Sequence, residues 1–232
     1  MKLSIVICVY NEVKTIQKLL NSVLKVKLQN NFKKEILIFD NNSDDGTKEI
    51  LKSYLNNKDL SIYFNSKNIG KGGSIIKSQK FINGDYVIFQ DADLEYNPEN
   101  YNLLLEKLIK NNLDAVYGSR IKLNRNYHIY FLNRIAVSFY STLINFLYNT
   151  KFTDTATNHK LIRASIFKKM KLSSTSFAID FEISLKLGKI NAKCGEIHIN
   201  YFPRKYKDGK KINFMDGINS LVIILSNLFT NR

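Results

Sequence analysis

Residues 85–95 read Asp-Tyr-Val-Ile-Phe-Gln-Asp-Ala-Asp-Leu-Glu, an apolar run that gives way to carboxylates at Asp91, Asp93 and Glu95. A short stretch of aromatic and β-branched residues bounded by polar ones reads as a buried strand. Alternate side chains at its end then point the same way, so the three carboxylates face together. Four similar runs surround it: Leu3–Val9, Glu35–Asp40, Leu60–Asn65 and Ala115–Gly118. Between them, residues 12–25, 48–55, 74–81 and 100–110 carry apolar side chains at helical spacing. This alternation predicts an α/β fold, a doubly wound, mostly parallel sheet with helices on both faces. Ligands of such sheets lie beyond the carboxyl ends of the strands. The polar clusters Tyr10-Asn11-Glu12, residues 40–46 and Asp91-Ala92-Asp93 all fall there, and are expected to share one rim.

The rest of the chain reads differently. Tyr127–Tyr148 is aromatic and helical in period, interrupted at Asn133 and Arg134, and Phe214–Phe229 is a second amphipathic stretch. Neither holds the roughly 20 uninterrupted apolar residues of a membrane span. Each suits core packing or, with an apolar face beside a basic one, a membrane surface. With two prolines, no repeat and no Gly- or Pro-rich linker, residues 1–232 are expected to form one domain. Net charge is +15, unevenly placed: residues 1–119 hold 16 Lys, no Arg and 14 acids, whereas residues 120–232 hold 13 Lys, 6 Arg and 6 acids. The second half is expected to meet an anion, since arginine binds phosphate in a bidentate way that lysine does not. Two cysteines and three scattered histidines exclude a disulfide framework and a zinc cluster. The start of the chain lacks the layout of a signal peptide, so the expected location is cytoplasmic, with contact at the membrane face as an option.

Carboxylates alternating at a strand end suit Mg²⁺ or Mn²⁺, hard ions that share their shell with substrate phosphates. The competing reading is a solvated acidic turn before the next helix; the strand placement and the two companion clusters argue against it. In residues 40–47, Ser43 or Asp44 is expected to cap the following helix, and Asp40 to accept hydrogen bonds from a base or ribose. Residues 68–74, Asn-Ile-Gly-Lys-Gly-Gly-Ser, match neither the Walker loop nor the dinucleotide fingerprint. They read as a tight turn that lets backbone approach a ligand or another helix, with Lys71 near phosphate.

Taken in order, Val9-Tyr10-Asn11-Glu12, residues 40–47, Asn68-Ile69-Gly70-Lys71-Gly72 and Asp91-Ala92-Asp93-Leu94 resemble the inverting glycosyltransferases of family 2, with their GT-A fold. Gly118-Ser119-Arg120, Thr153-Asp154 with Lys160, Phe181-Glu182, Phe202-Pro203-Arg204 and Gly209-Lys210-Lys211 are similar to the polyprenyl- and dolichyl-phosphate sugar transferases within that family. The resemblance implies that residues 1–119 bind a UDP- or GDP-sugar and residues 120–232 an acceptor, polyprenyl or dolichyl phosphate. Tyr10, Glu12, Asp40 and Asn42 would hold base and ribose, with Lys71 near the phosphates. Asp91, Asp93 and Glu95 would hold Mg²⁺ or Mn²⁺, and Arg120, Arg134, Arg204 and Lys211 would face the acceptor phosphate. Asp154 would stand near the reacting sugar, with Asp93 as its catalytic companion. Cys8 departs from the family's usual Pro, and Glu95 from its common Gln.

The implied reaction is a single displacement at the anomeric carbon. A phosphate acceptor, with its second pKa near ~6, attacks as a dianion unaided. A saccharide hydroxyl would need a general base, for which Asp154 and Asp180 are the candidates. A nucleotidyltransferase would show a Gly- and Arg-rich loop where Tyr10-Asn11-Glu12 stands. A nucleic-acid-binding protein would leave the acidic clusters unexplained, so no nucleic-acid partner is expected.

Overall fold

The structure, a computed structural model, describes residues 1–121, 131–204 and 214–229. Among the described residues seven strands make one sheet: β1 (Lys2–Val9), β2 (Lys33–Asp40), β3 (Leu60–Phe64), β4 (Tyr86–Asp91), β5 (Ala115–Ser119), β6 (Lys160–Arg163) and β7 (Cys194–His198). Their spatial order is β3-β2-β1-β4-β6-β5-β7. β1 runs parallel to β2 and β4, β2 to β3, and β5 to β7. β6 is antiparallel to both of its neighbours, β4 and β5. The described helices are α1 (Ile16–Lys25), α2 (Thr47–Ser53), α3 (Gly70–Ser78), α4 (Asn100–Lys110), α5 (Phe131–Tyr148), α6 (Ala164–Phe167), α7 (Ile179–Lys189) and α8 (Phe214–Phe229).

The strand period of two sorts the core into two layers. On one face Leu3, Ile5, Ile7 and Val9 of β1 meet Leu19, Leu20 and Val23 of α1 and Leu104 and Leu108 of α4. On the other, Val6, Val87 and Phe89 share a cluster with Ile75 of α3, Ile144 of α5, Ile183 of α7 and Ile224 of α8. Each such side chain, fully buried, stabilises the fold by roughly 1.5–3 kcal/mol.

Three boundaries differ from the sequence reading. α1 starts at Ile16, because the Glu12 carbonyl accepts the Thr15 and Ile16 amides in a turn. That turn leaves the Glu12 side chain to the rim. α3 starts at Gly70, inside the glycine stretch, and α5 passes through Asn133 and Arg134 unbroken. Among the described residues no helix is long and apolar enough to cross a membrane.

Candidate active site

Parallel register sets the rim. Val9 of β1 lies beside Asp40 of β2, and Cys8 beside Asp91 of β4, so the first, second and fourth strands end level. The loops that follow are tied together. Ser43 Oγ accepts the Asn11 amide at 2.9 Å, Asp44 Oδ1 accepts the Asn11 side-chain amide at 2.8 Å, and Thr47 Oγ1 accepts the Glu12 amide at 2.8 Å. Ser43 and Asp44 therefore do not cap α2 as expected; its N-cap is Gly46, at φ 100°, with no side-chain cap. Asp40, expected at the base or ribose, is fully buried and outside the cleft lining, its Oδ2 accepting the Ser43 amide at 3.2 Å and its Oδ1 without a hydrogen-bond partner among the described residues. Asn42, expected at the ribose, is exposed and accepts from Lys48; the cleft is lined by its neighbour Asn41 instead.

Beyond the rim opens a cleft of about 750 Å³. Its floor is charged: Glu12, Lys71, Asp91, Asp93, Glu95, Asp180 and Arg204 all line it, with Tyr10 at the edge. One wall is apolar, built by Ile135, Val137 and Phe139 of α5 with Ile218 and Leu221 of α8. Lys71 Nζ donates to Asp180 Oδ2 at 3.0 Å and pairs with Asp91 Oδ1 at 3.3 Å. Arg204 donates to both Glu12 oxygens, at 2.9 and 3.1 Å, and to Asp93 Oδ2 at 3.3 Å, while its amide donates to Glu95 Oε1 at 2.6 Å. Tyr201 holds the other Glu95 oxygen, and an antiparallel bridge between Tyr96 and Tyr201 brings this segment to the rim. Burial, then repulsion from Asp91 and Glu95, pushes Asp93 up to about 8 against the pull of Arg204. Asp91 is likewise raised, by burial first. Burial works against the Lys71 ammonium, but Asp180 and Asp91 outweigh it and hold the charge on.

The expected metal set needs one correction. Among the described residues no three carboxylate, His or Cys side chains are gathered to hold a metal ion. Asp91, Asp93 and Glu95 do line one cleft, but Glu95 is taken up by Tyr201 and the Arg204 amide. In charge the site fits a divalent cation: the crowded, largely enclosed carboxylates repel one another, and Lys71 and Arg204 offset them only in part. Asp91 and Asp93 are the residues that suit the ion.

Two further expectations meet a different placement. Asp154 is fully buried and does not line the cleft; Arg120 grips both its oxygens, Nε to Oδ2 at 2.6 Å and Nη2 to Oδ1 at 2.7 Å. A carboxylate so enclosed is out of reach of a sugar. Arg120 reaches the cleft wall, yet its guanidinium is committed to that pair and stacks over Tyr201, 5.1 Å to the ring centroid. Arg134 is exposed on α5 and outside the cleft lining, and Lys211 lies outside the described residues. The carboxylate that does reach the cleft is Asp180, at the start of α7, with Lys71 on one oxygen and Lys160 Nζ at 3.4 Å from the other. Tyr96 and Tyr201, which line the cleft, went unnoticed in the sequence, because the bridge that joins them links positions far apart in the chain.

Known proteins resemble this chain in sequence and in fold. Residues 4–171 match the family described as Glycosyl transferase family 2. The chain belongs to that family and is a glycosyltransferase. It is 30% identical over 208 residues to an uncharacterised protein of Methanocaldococcus jannaschii, covering 84% of this chain and 86% of that one. It is 26% identical over 215 residues to dolichyl-phosphate beta-glucosyltransferase of Dictyostelium discoideum, covering 86% of this chain and 66% of that one. Its GT-A fold is similar to glucosyl-3-phosphoglycerate synthase of Mycobacterium tuberculosis, solved with Mn²⁺, UDP and phosphoglyceric acid: TM-score 0.72, 11% identity, 97% of this chain and 78% of that one.

Proposed function

We propose that the protein moves a hexose from a UDP- or GDP-sugar to the phosphate of a polyprenyl or dolichyl lipid, inverting the anomeric centre. One observation carries this reading: a single cleft joins a carboxylate and cation floor to an apolar wall. An amphiphile with a phosphate head fits both parts, whereas a saccharide would leave the wall of α5 and α8 without a partner. The glucosyltransferase relative acts on dolichyl phosphate by name, which supports the same acceptor class.

In this reading the base sits over Tyr10 with Asn41 beside it, and Glu12 holds the ribose. Lys71 meets the donor diphosphate. A divalent cation at Asp91 and Asp93, when bound, offsets the charge that grows on the leaving diphosphate. The acceptor phosphate, a dianion at neutral pH, attacks the anomeric carbon. Its oxygen bonds to that carbon as the bond to the diphosphate oxygen breaks, and the nucleoside diphosphate leaves. No proton has to be removed, so no general base is required. Arg204 steadies the acceptor phosphate, and Asp180 takes the place at the reacting sugar that the resemblance gave to Asp154. The saccharide-acceptor reading is weaker here, because both oxygens of Asp180 already accept from lysines.

The test is thermal-shift screening with UDP- and GDP-sugars plus Mn²⁺, followed by transfer to polyprenyl phosphate. One nucleotide sugar should stabilise the protein in the presence of Mn²⁺ and be turned over. Asp93→Asn should lower that turnover at least ~100-fold with the fold intact. Undiminished transfer by this variant, or no response to any nucleotide sugar, would refute the assignment.

A further inference from the structure

We propose that the outer faces of α5 and α8, together with a lysine-lined groove at their far ends, seat the protein on an anionic bilayer. This rests on the lipid-phosphate reading and identifies the surface from which such an acceptor would enter. The exposed apolar residues of α8, Met215, Ile218, Val222 and Leu225, fall on one stripe opposite the buried Ser220, Ile224 and Asn227, with the exposed polar Asn219 and Ser226 along its edge. α5 presents Ile135, Phe139 and Phe146 opposite the buried Val137, Ser141 and Ile144. Both helices pack inward on α7, which leaves these stripes facing out. Phe146 is 84% exposed, a large cost for a side chain meant to meet only water.

The stripes are continuous with two other features. At the rim end, Ile135, Phe139 and Ile218 also line the active cleft. At the far end, Phe146 lines a groove of about 1080 Å³ that carries Lys169, Lys171, Lys186 and Lys189, with no carboxylate among its described lining residues. Lys186 and Lys189 are close enough that their like charges, after burial, depress the Lys189 ammonium. Apolar stripes beside a basic cluster, on helices unable to span, are the pattern of an element lying in the interface plane. An isologous second copy would bring the same face, whose groove offers its lysines no carboxylate among the described lining residues. A nucleic acid would use the lysines and leave the apolar stripes wet. Acidic headgroups over acyl chains satisfy both halves of the surface.

Vesicle flotation decides it, using the whole chain and vesicles of phosphatidylcholine with or without phosphatidylglycerol. The protein should float with anionic vesicles at low salt and at least ~10-fold less with neutral vesicles or at high salt. Phe146→Glu with Val222→Glu, and separately Lys186→Glu with Lys189→Glu, should each cut flotation ~10-fold. Both pairs should retain Mn²⁺-dependent nucleotide binding and transfer to a short-chain, detergent-dispersed phosphate acceptor. Protein that stays at the bottom of the gradient, or variants that float like the parent, would overturn the proposal. So would a dimer dispersed by Phe146→Glu with Val222→Glu. Flotation as expected in a protein that turns over no nucleotide sugar would leave the docking face standing and remove the transferase reading beneath it.

Discussion

Arg204 sits among Glu12, Asp93 and Glu95, where a divalent cation would also be drawn. The two positive groups compete for the same oxygens. Arg204→Gln should therefore lower the melting temperature of the metal-free protein, since it leaves three carboxylates crowded together. Mn²⁺ should then raise the variant's melting temperature by more than it raises the parent's. Equal Mn²⁺ responses in the two proteins would show that Arg204 and the ion do not share a site. Asp154 carries the converse expectation. Asp154→Ala strands the buried Arg120 charge and should cost about 3–5 kcal/mol in urea unfolding. At this scale the sequence revealed residue types well and partners badly. Asp91, Asp93, Glu12 and Lys71 were legible because strand ends and loops announce themselves. The Arg120–Asp154 pair joins positions 34 apart, and neither residue's own neighbourhood shows that burial will turn each toward the other.

The glycine stretch at the start of α3 shows how an element can be read correctly as a close approach without its partner being known. Gly72 packs so tightly on the Ser174–Thr175 backbone that a Cβ would collide with the Ser174 carbonyl, and its amide donates to Thr175 at 2.9 Å. The contact fixes Lys71 beside Asp180. Gly72→Ala should destabilise the fold by about 1–3 kcal/mol, in the range of an overpacked core, and weaken nucleotide binding as Lys71 shifts. Denaturant titration beside nucleotide affinity measures both. The parallel strands of the first half were legible from their apolar runs. β6 was not, because four residues that begin with lysine look like a loop; Lys160 is fully buried all the same, its ammonium held by the Thr155 and Thr157 carbonyls and Asp180. α5 was legible in period, and its apparent interruption at Asn133 and Arg134 marks the end that meets the cleft.

Across the whole molecule, one buried ring ties acid sensitivity to the fold. His159 is fully enclosed between Tyr96 and Tyr101, with centroids 5.2 and 5.6 Å away, and neither ring nitrogen has a hydrogen-bond partner among the described residues. Burial pushes it down from 6.5 to about 3. The unfolded chain thus binds the proton that the folded one refuses, so stability should fall as pH drops from 6.5 toward 3. The full effect is on the order of 5 kcal/mol. His159→Phe should flatten that part of the pH–stability curve in denaturant titrations, and an unchanged slope would place the acid sensitivity elsewhere. The sheet order carries a consequence for synthesis. Among the described residues β5 pairs only with β6 and β7, both made later, and β6 must insert between β4 and a β5 already out of the ribosome. The boundary where charge changes, near residue 119, is thus no folding boundary: a nascent chain halted there would hold β5 without a neighbour and β4 with a bare edge, the kind of template on which chains aggregate.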